Sequence, residues 1–190
     1  ASDVRIDTPT RAPVGVSVFI PQAAGGCNAP YDVVIAQHGH GGWRKNMGLS
    51  LANEMAANCI ATIAMDLPKH GGRLTGSPER HPASNPATSG DDYITADFVG
   101  TLNTFQQAVI DQIVMVRMLK EGAFDTAVGG AFTDSTSQIG YMAHSMGAFA
   151  GTLLSTIEPD VGPAVLTVVG GNYGTLLQDS DSYGPLFDAV

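Results

Sequence analysis

Apolar residues recur along this chain with two different periods. Val14, Val16, Val18 and Ile20 fall on every second position, the signature of a strand over 14–20. Tyr31–His38 is a continuous apolar run of strand length, as expected for a strand buried on both faces of a parallel sheet. Residues 45–57 switch to helical spacing, with Met47, Leu51 and Met55 on one face and Asn58 near the end. Ile60–Met65 reads as a second buried strand ending at Asp66. A long connection rich in proline and glycine, 67–100, leads to an amphipathic helix carried by Leu102, Phe105, Val109, Ile113 and Val116 and closing near Lys120. Further strands are predicted at 138–143 and 163–169, with a helix over 147–157 between them. Residues 1–12 and 171–190 show no period and read as an irregular lead-in and tail. Strands alternating with helices predict one α/β domain over 1–190. Its mostly parallel central sheet has helices on both faces, and ligands gather at the carboxyl ends of its strands.

Composition narrows the function. The chain has 190 residues, 44% hydrophobic and 14% charged, enough for one substantial core. A net charge of −9 argues against a nucleic-acid partner, which calls for a basic face. No segment has the roughly 18 consecutive apolar residues of a membrane span. Lysine occurs only 3 times against abundant Gly, Ser, Thr and Asn, a balance that leans towards export to the periplasm, cell surface or medium. The two cysteines, Cys27 and Cys59, each precede a predicted strand. If those strands are parallel neighbours about 4.8 Å apart, a disulfide can span the gap and favours an oxidising compartment. Two small buried residues are the other reading.

The stretch Ile139-Gly-Tyr-Met-Ala-His-Ser-Met-Gly147 concentrates the chemistry. A short apolar strand runs into small-x-Ser-x-Gly and then an apolar helix, the context in which a serine hydroxyl projects from a tight turn under a helix N-terminus. Positions 143 and 147 must be small there, and Ala143 and Gly147 comply. The competing reading is that Ser145 simply caps the helix.

Two other strand ends bear on that choice. His38-Gly-His-Gly-Gly42 follows the strand at 31–38, and Asp66-Leu-Pro-Lys-His-Gly-Gly-Arg73 follows the strand at 60–65. With Ala143-His-Ser-Met-Gly147, and in this order, they resemble the α/β-hydrolase superfamily over roughly residues 14–170. The wording of the first two is similar to exported, virulence-associated bacterial lipases and esterases. The resemblance implies a serine hydrolase of carboxylic esters. In it Ser145 is the nucleophile, and the backbone amides of His40 and Met146 stabilise the oxyanion. His38, Gly39, Gly41, Gly42, His144 and Gly147 support the motifs. It also implies a structural Asp66 that accepts loop amides. Trp43 and His70 are pocket candidates, core packing and loop organisation being their plainer readings, and His81 reads as surface. No cofactor is implied. His38 and His40 alone fall short of a metal site, which wants three or four ligands.

Half of the machinery is missing. In the superfamily the acid and then the histidine follow the nucleophile, but the histidines here are 38, 40, 70, 81 and 144. His144 abuts Ser145 and should point away from it, and Asp179 or Asp181 cannot act without a base. We expect an incomplete hydrolase fold of about six of the usual eight strands. Its exposed sheet edge would be covered by a C-terminal segment of the same polypeptide that brings both residues. Residues 171–190 would then begin a cap or form an irregular tail. The rival expectations are a non-catalytic binding module, a histidine recruited from upstream, with His70 the nearest candidate, and an acyltransferase or peptidase using the same serine.

Overall fold

The computed structural model of the chain describes residues 13–22, 25–75 and 89–188. His81 lies outside the described residues. Five strands form one sheet in the order β1-β3-β2-β4-β5, where β1 is Val16–Phe19, β2 Asp32–Gln37, β3 Ile60–Met65, β4 Ile139–His144 and β5 Val161–Thr167. β1 runs antiparallel to β3, and the other three pairings are parallel. The parallel order brings the carboxyl ends of β2, β3 and β4 to a single edge of the sheet.

Helices cover both faces, as expected. Alternation along β1 separates them: Val16 and Val18 pack into the core that holds Met115 and Leu119 of α3 (Phe98–Lys120), while Phe19 meets Gly48 of α1 (Arg44–Ala57) on the opposite face. A methyl group at position 48 would lie 2.4 Å from the Phe19 ring, so only glycine lets α1 settle on β1. On β4, Ile139, Tyr141 and Ala143 are buried under α5 (Met146–Ile157), where Gly151 passes over the Tyr141 ring and Tyr141 Oη donates to Gly147 O at 3.1 Å. A short helix α2, Gly72–Thr75, and a one-turn α4, Asp125–Val128, complete the middle of the chain.

Several boundaries differ from the sequence reading. α3 begins at Phe98, where Asp97 accepts from the Gly100 amide as its N-cap. Its buried face is Thr101, Ala108, Val109, Gln112, Met115, Val116 and Leu119. Leu102, expected on that face, is instead exposed at the groove between α3 and α5. β5 occupies 161–167 rather than 163–169. Its pairing with β4 begins at Ile139–Val161, slips at Gly162 and Pro163, and ends at Thr167, after which Val168 takes φ 56°. β5 is an edge strand among the described residues, and Val165, Val168 and Val169 are exposed. The tail has local structure: α6 (Tyr173–Gln178) and α7 (Gly184–Asp188), with Leu177 of α6 joining a second apolar cluster around Tyr93, Val109 and Met146.

At the opposite end of the sheet Cys27 and Cys59 are joined, with Cα atoms 5.2 Å apart. The bond ties the entrance of β2 to that of β3, the outcome that the parallel-neighbour geometry allows.

Candidate active site

Ser145 sits in the corner between β4 and α5 at φ 51°, ψ −119°, a backbone conformation that L-residues other than glycine rarely adopt. Its amide donates to Thr167 O at 2.9 Å, anchoring the corner to β5. The serine side chain makes no capping hydrogen bond to α5. The capping reading therefore has no bond to rest on, while a strained serine at a strand–helix corner is what an outward-facing nucleophile requires.

The loop after β2 lies directly against that corner. A Cβ on Gly39 would stand 2.9 Å from the Ser145 Cβ and 2.9 Å from His144 O. Gly147 approaches β2 rather than its own strand, since a Cβ there would meet His38 O at 2.5 Å. Residues 39–42 form a β-turn closed by Gly42 N–H donating to Gly39 O at 3.1 Å, with Gly41 at φ 74° in the position where a type II turn demands glycine. His40 occupies the other central position. Neither the His40 nor the Met146 amide donates to another group of the chain among the described residues. The two candidate donors thus sit on segments in contact with the corner, with their N–H groups uncommitted.

The histidines divide by environment. His38 is buried and has both ring nitrogens engaged: Nδ1–H donates to Gly39 O at 2.8 Å, and Nε2 accepts the Leu67 amide at 3.1 Å. Burial pushes its pKa down to about 4, against the smaller opposing effects of the Gly39 carbonyl and the Asp66 carboxylate. It is a neutral strut that joins the loops after β2 and β3. His70 is buried at 0% exposure, in keeping with the plainer reading of it as a loop organiser. Its Nδ1–H donates to Pro68 O at 2.8 Å, and burial first, then the neighbouring His38, lowers its pKa to about 3. His40 is more exposed. It packs edge-on against His70 and Tyr183, and partial burial lowers its pKa against the pull of Asp91. His144 is exposed, and its Nδ1 is paired with Thr167 Oγ1 at 3.1 Å, turned towards β5. Trp43 is half-buried just before α1, with the Arg44 guanidinium and the Lys45 ammonium over its ring at 5.7 and 5.5 Å. Asp179 and Asp181 are exposed beside α6.

Asp66 is the hub beneath these loops. It is 1% exposed and accepts the Arg44 amide at 2.7 Å, the Arg44 guanidinium at 2.5 Å and the Gly72 amide at 3.0 Å. Arg73 donates to its carbonyl oxygen and pairs with Asp111 of α3.

Three residues of the site gave no signal in the sequence reading. Ser89 and Gly90, at the end of the long connection, touch both loops, and Thr167 receives the Ser145 amide. A serine in a Ser/Pro/Asn-rich stretch is unremarkable, so only the fold could single it out. A cavity of about 600 Å³ opens near Cys27 and Ala56 at the far end of the sheet, away from Ser145. An apolar groove of about 370 Å³ lies between α3 and α5, lined by Phe98, Leu102, Phe105, Phe149 and Tyr173. No group of three or more His, Cys, Asp or Glu that could hold a metal ion occurs among the described residues.

The architecture has relatives of known structure. Acetyl xylan esterase 1 from Thermoanaerobacterium sp. JW/SL YS485 superposes with a TM-score of 0.59 at 16% identity, over 92% of this chain and 51% of that one. The putative non-heme bromoperoxidase BpoC from Mycobacterium tuberculosis H37Rv gives 0.53 at 15%, over 97% and 52%. A lipase in its open form gives 0.50 at 15%, over 77% and 36%. The fold is α/β-hydrolase-like. At these identities the likeness is one of fold. The chain spans about a third to a half of the length of those three structures. No protein-family model matches the sequence, and no curated protein matches it.

Proposed function

We propose that this chain is the nucleophile-bearing part of a serine hydrolase of carboxylic esters, of the esterase or lipase kind. The observation that carries the reading is the contact between Gly39 and Ser145. A turn is pressed against a serine held at φ 51° ahead of a helix N-terminus, and the His40 amide within that turn donates to no group among the described residues. In this reading Ser145 Oγ attacks the ester carbonyl carbon and passes its proton to a histidine. The carbonyl oxygen gains the negative charge between the amides of His40 and Met146, where one preorganised donor is worth about 3–4 kcal/mol. Collapse breaks the bond to the alcohol, which leaves with the proton, and water then hydrolyses the acyl-serine.

The base and its acid come from a segment outside this chain. His38 has both ring nitrogens bonded, His144 turns to Thr167, His70 is buried with Nδ1 on the Pro68 carbonyl, and no histidine follows Ser145. The exposed β5 edge is a natural place for that segment to pair. The wording of the two glycine-rich loops, together with the Cys27–Cys59 bond, supports the narrower reading of an exported bacterial lipase or esterase.

The same commitment of the histidines supports a second reading, a binding module that keeps the fold without the reaction. A fluorophosphonate probe applied to the chain together with its completing segment separates the two. Labelling at Ser145 that disappears in Ser145→Ala supports the hydrolase, and an unlabelled wild type defeats it.

A further inference from the structure

We propose that Ser89 is a positioning residue for the oxyanion loop. It acts through the Gly42 carbonyl, and the assignment rests on the hydrolase reading above.

The turn 39–42 must hold the His40 amide at a fixed place relative to Ser145. Its first residue is located by contact, since Gly39 lies against the Ser145 Cβ and its carbonyl takes the His38 Nδ1–H. Its last residue lies against His38, where a Cβ at position 42 would meet the His38 Cβ at 2.9 Å. The Gly42 carbonyl is held by the Ser89 hydroxyl, which donates to it at 2.9 Å. The same Oγ accepts the Gly71 amide at 3.2 Å, so one hydroxyl joins the loop after β2 to the loop after β3. Ser89 is 2% exposed, and water cannot replace either bond without entering a packed site.

The next residue completes the clamp. The Gly90 amide donates to Lys69 O at 2.9 Å, and its backbone takes φ 92°. A Cβ at position 90 would fall 2.2 Å from His70 Nε2 and 2.9 Å from His40 Nδ1, so the backbone there is wedged against the His40 ring itself. Residues 89 and 90 therefore fix both the carbonyl end of the turn and the side chain of His40, the residue to which the hydrolase reading assigns an oxyanion amide. Asp66 holds the β3 loop from beneath, and Ser89 transmits that rigidity to the oxyanion loop.

The hydroxyl both donates and accepts here, which sets the test. Ser89→Ala removes both bonds, whereas Ser89→Thr keeps them. Hydrolysis of a short p-nitrophenyl ester is measured on the chain with its completing segment, each rate divided by active sites titrated with a fluorophosphonate. Displacement of a catalytic group by about 1 Å costs on the order of 100-fold. We therefore expect Ser89→Ala to lower kcat by about 10- to 100-fold with KM within about twofold, and Ser89→Thr to recover most of it. A per-site kcat in Ser89→Ala equal to wild type overturns the proposal, as does a loss that Ser89→Thr fails to rescue while remaining folded. If Ser89→Ala does not fold, Ser89→Cys, a weaker donor, must show an intermediate kcat at unchanged KM. An unchanged kcat there overturns the assignment too. A wild type that neither turns over nor labels sinks the hydrolase reading instead, so the two failures are distinct.

Discussion

Gly39 and Ser145 touch across the sheet edge, and the space for a side chain at position 39 is already filled. An added methyl would meet the Ser145 Cβ and the His144 carbonyl, each at 2.9 Å, and neither is a flexible group that can swing aside. Gly41, two residues on, has φ 74° and nothing within 4 Å of the same position. Alanine at the two sites should therefore behave differently. On the proposed function, Gly39→Ala should cut fluorophosphonate labelling of Ser145 by about 100-fold or more, because the turn proposed to hold the oxyanion must move away from Ser145. Gly41→Ala should cost about 1–2 kcal/mol of stability through its left-handed backbone alone. Labelling rates and urea denaturation of the two variants check this, and equal labelling rates would contradict it.

The backbone strain at Ser145 has its own consequence. At φ 51°, ψ −119° a residue with a Cβ carries a cost of about 1–3 kcal/mol that glycine largely escapes. Ser145→Ala and Ser145→Gly both delete the hydroxyl, so both should abolish turnover. They should differ in stability, with the glycine variant about 1 kcal/mol more stable than the alanine variant after the greater freedom of glycine in the unfolded chain is counted. Denaturant midpoints of the two give the answer directly. Alanine equal to or above glycine would mean that the corner is unstrained.

Asp66 and Arg44 form a buried ion pair whose members cannot be separated cheaply. The carboxylate holds the guanidinium at 2.5 Å and also takes two backbone amides, from Arg44 and Gly72. Removing the carboxylate takes its ion-pair partner from a buried guanidinium and an acceptor from two backbone amides, so Asp66→Ala should destabilise by about 3–5 kcal/mol. Replacing both residues with apolar ones of similar volume, Asp66→Leu with Arg44→Met, should recover part of that loss. Equilibrium unfolding of the single and double variants tests the coupling, and additive losses would show that the pair is not acting as a unit.

Much of this arrangement was legible before any coordinates, for reasons that differ by element. The strands at 31–38, 60–65 and 138–143 were visible because a parallel sheet buries both faces and leaves long apolar runs. β1 was visible because an edge strand alternates. The close contact at Gly147 was readable from the need for a small residue, but not its partner: it is β2, through His38 O, that presses on it. β5 was misplaced by two residues because an exposed edge strand with a slip at Gly162 and Pro163 has no strong pattern, and the valines at 168 and 169 drew the boundary outward. The buried pair of Gln37 and Gln112, joined by a hydrogen bond, was not anticipated, because each lies in a segment read only for its apolar residues. Ser89 was invisible, since its importance comes from where the chain returns after a long connection.

The two buried histidines make stability depend on pH in a definite direction. His38, ordinarily at 6.5, is held at about 4 in the folded chain by burial, and His70 at about 3. Between pH 6.5 and about 4 the unfolded chain binds protons at these positions that the folded chain refuses. Stability is therefore complete above 6.5 and falls as the pH drops through that window. For His38 the depression corresponds to on the order of 3 kcal/mol across the window. His38→Asn keeps a donor near Gly39 O and removes the titration, so its unfolding free energy should fall less steeply than wild type between pH 6.5 and 4.5. Urea denaturation at three pH values within that range, on both proteins, measures the difference in slope. Parallel slopes would mean that His38 is not held neutral in the fold, and that the strut between the loops after β2 and β3 is built some other way.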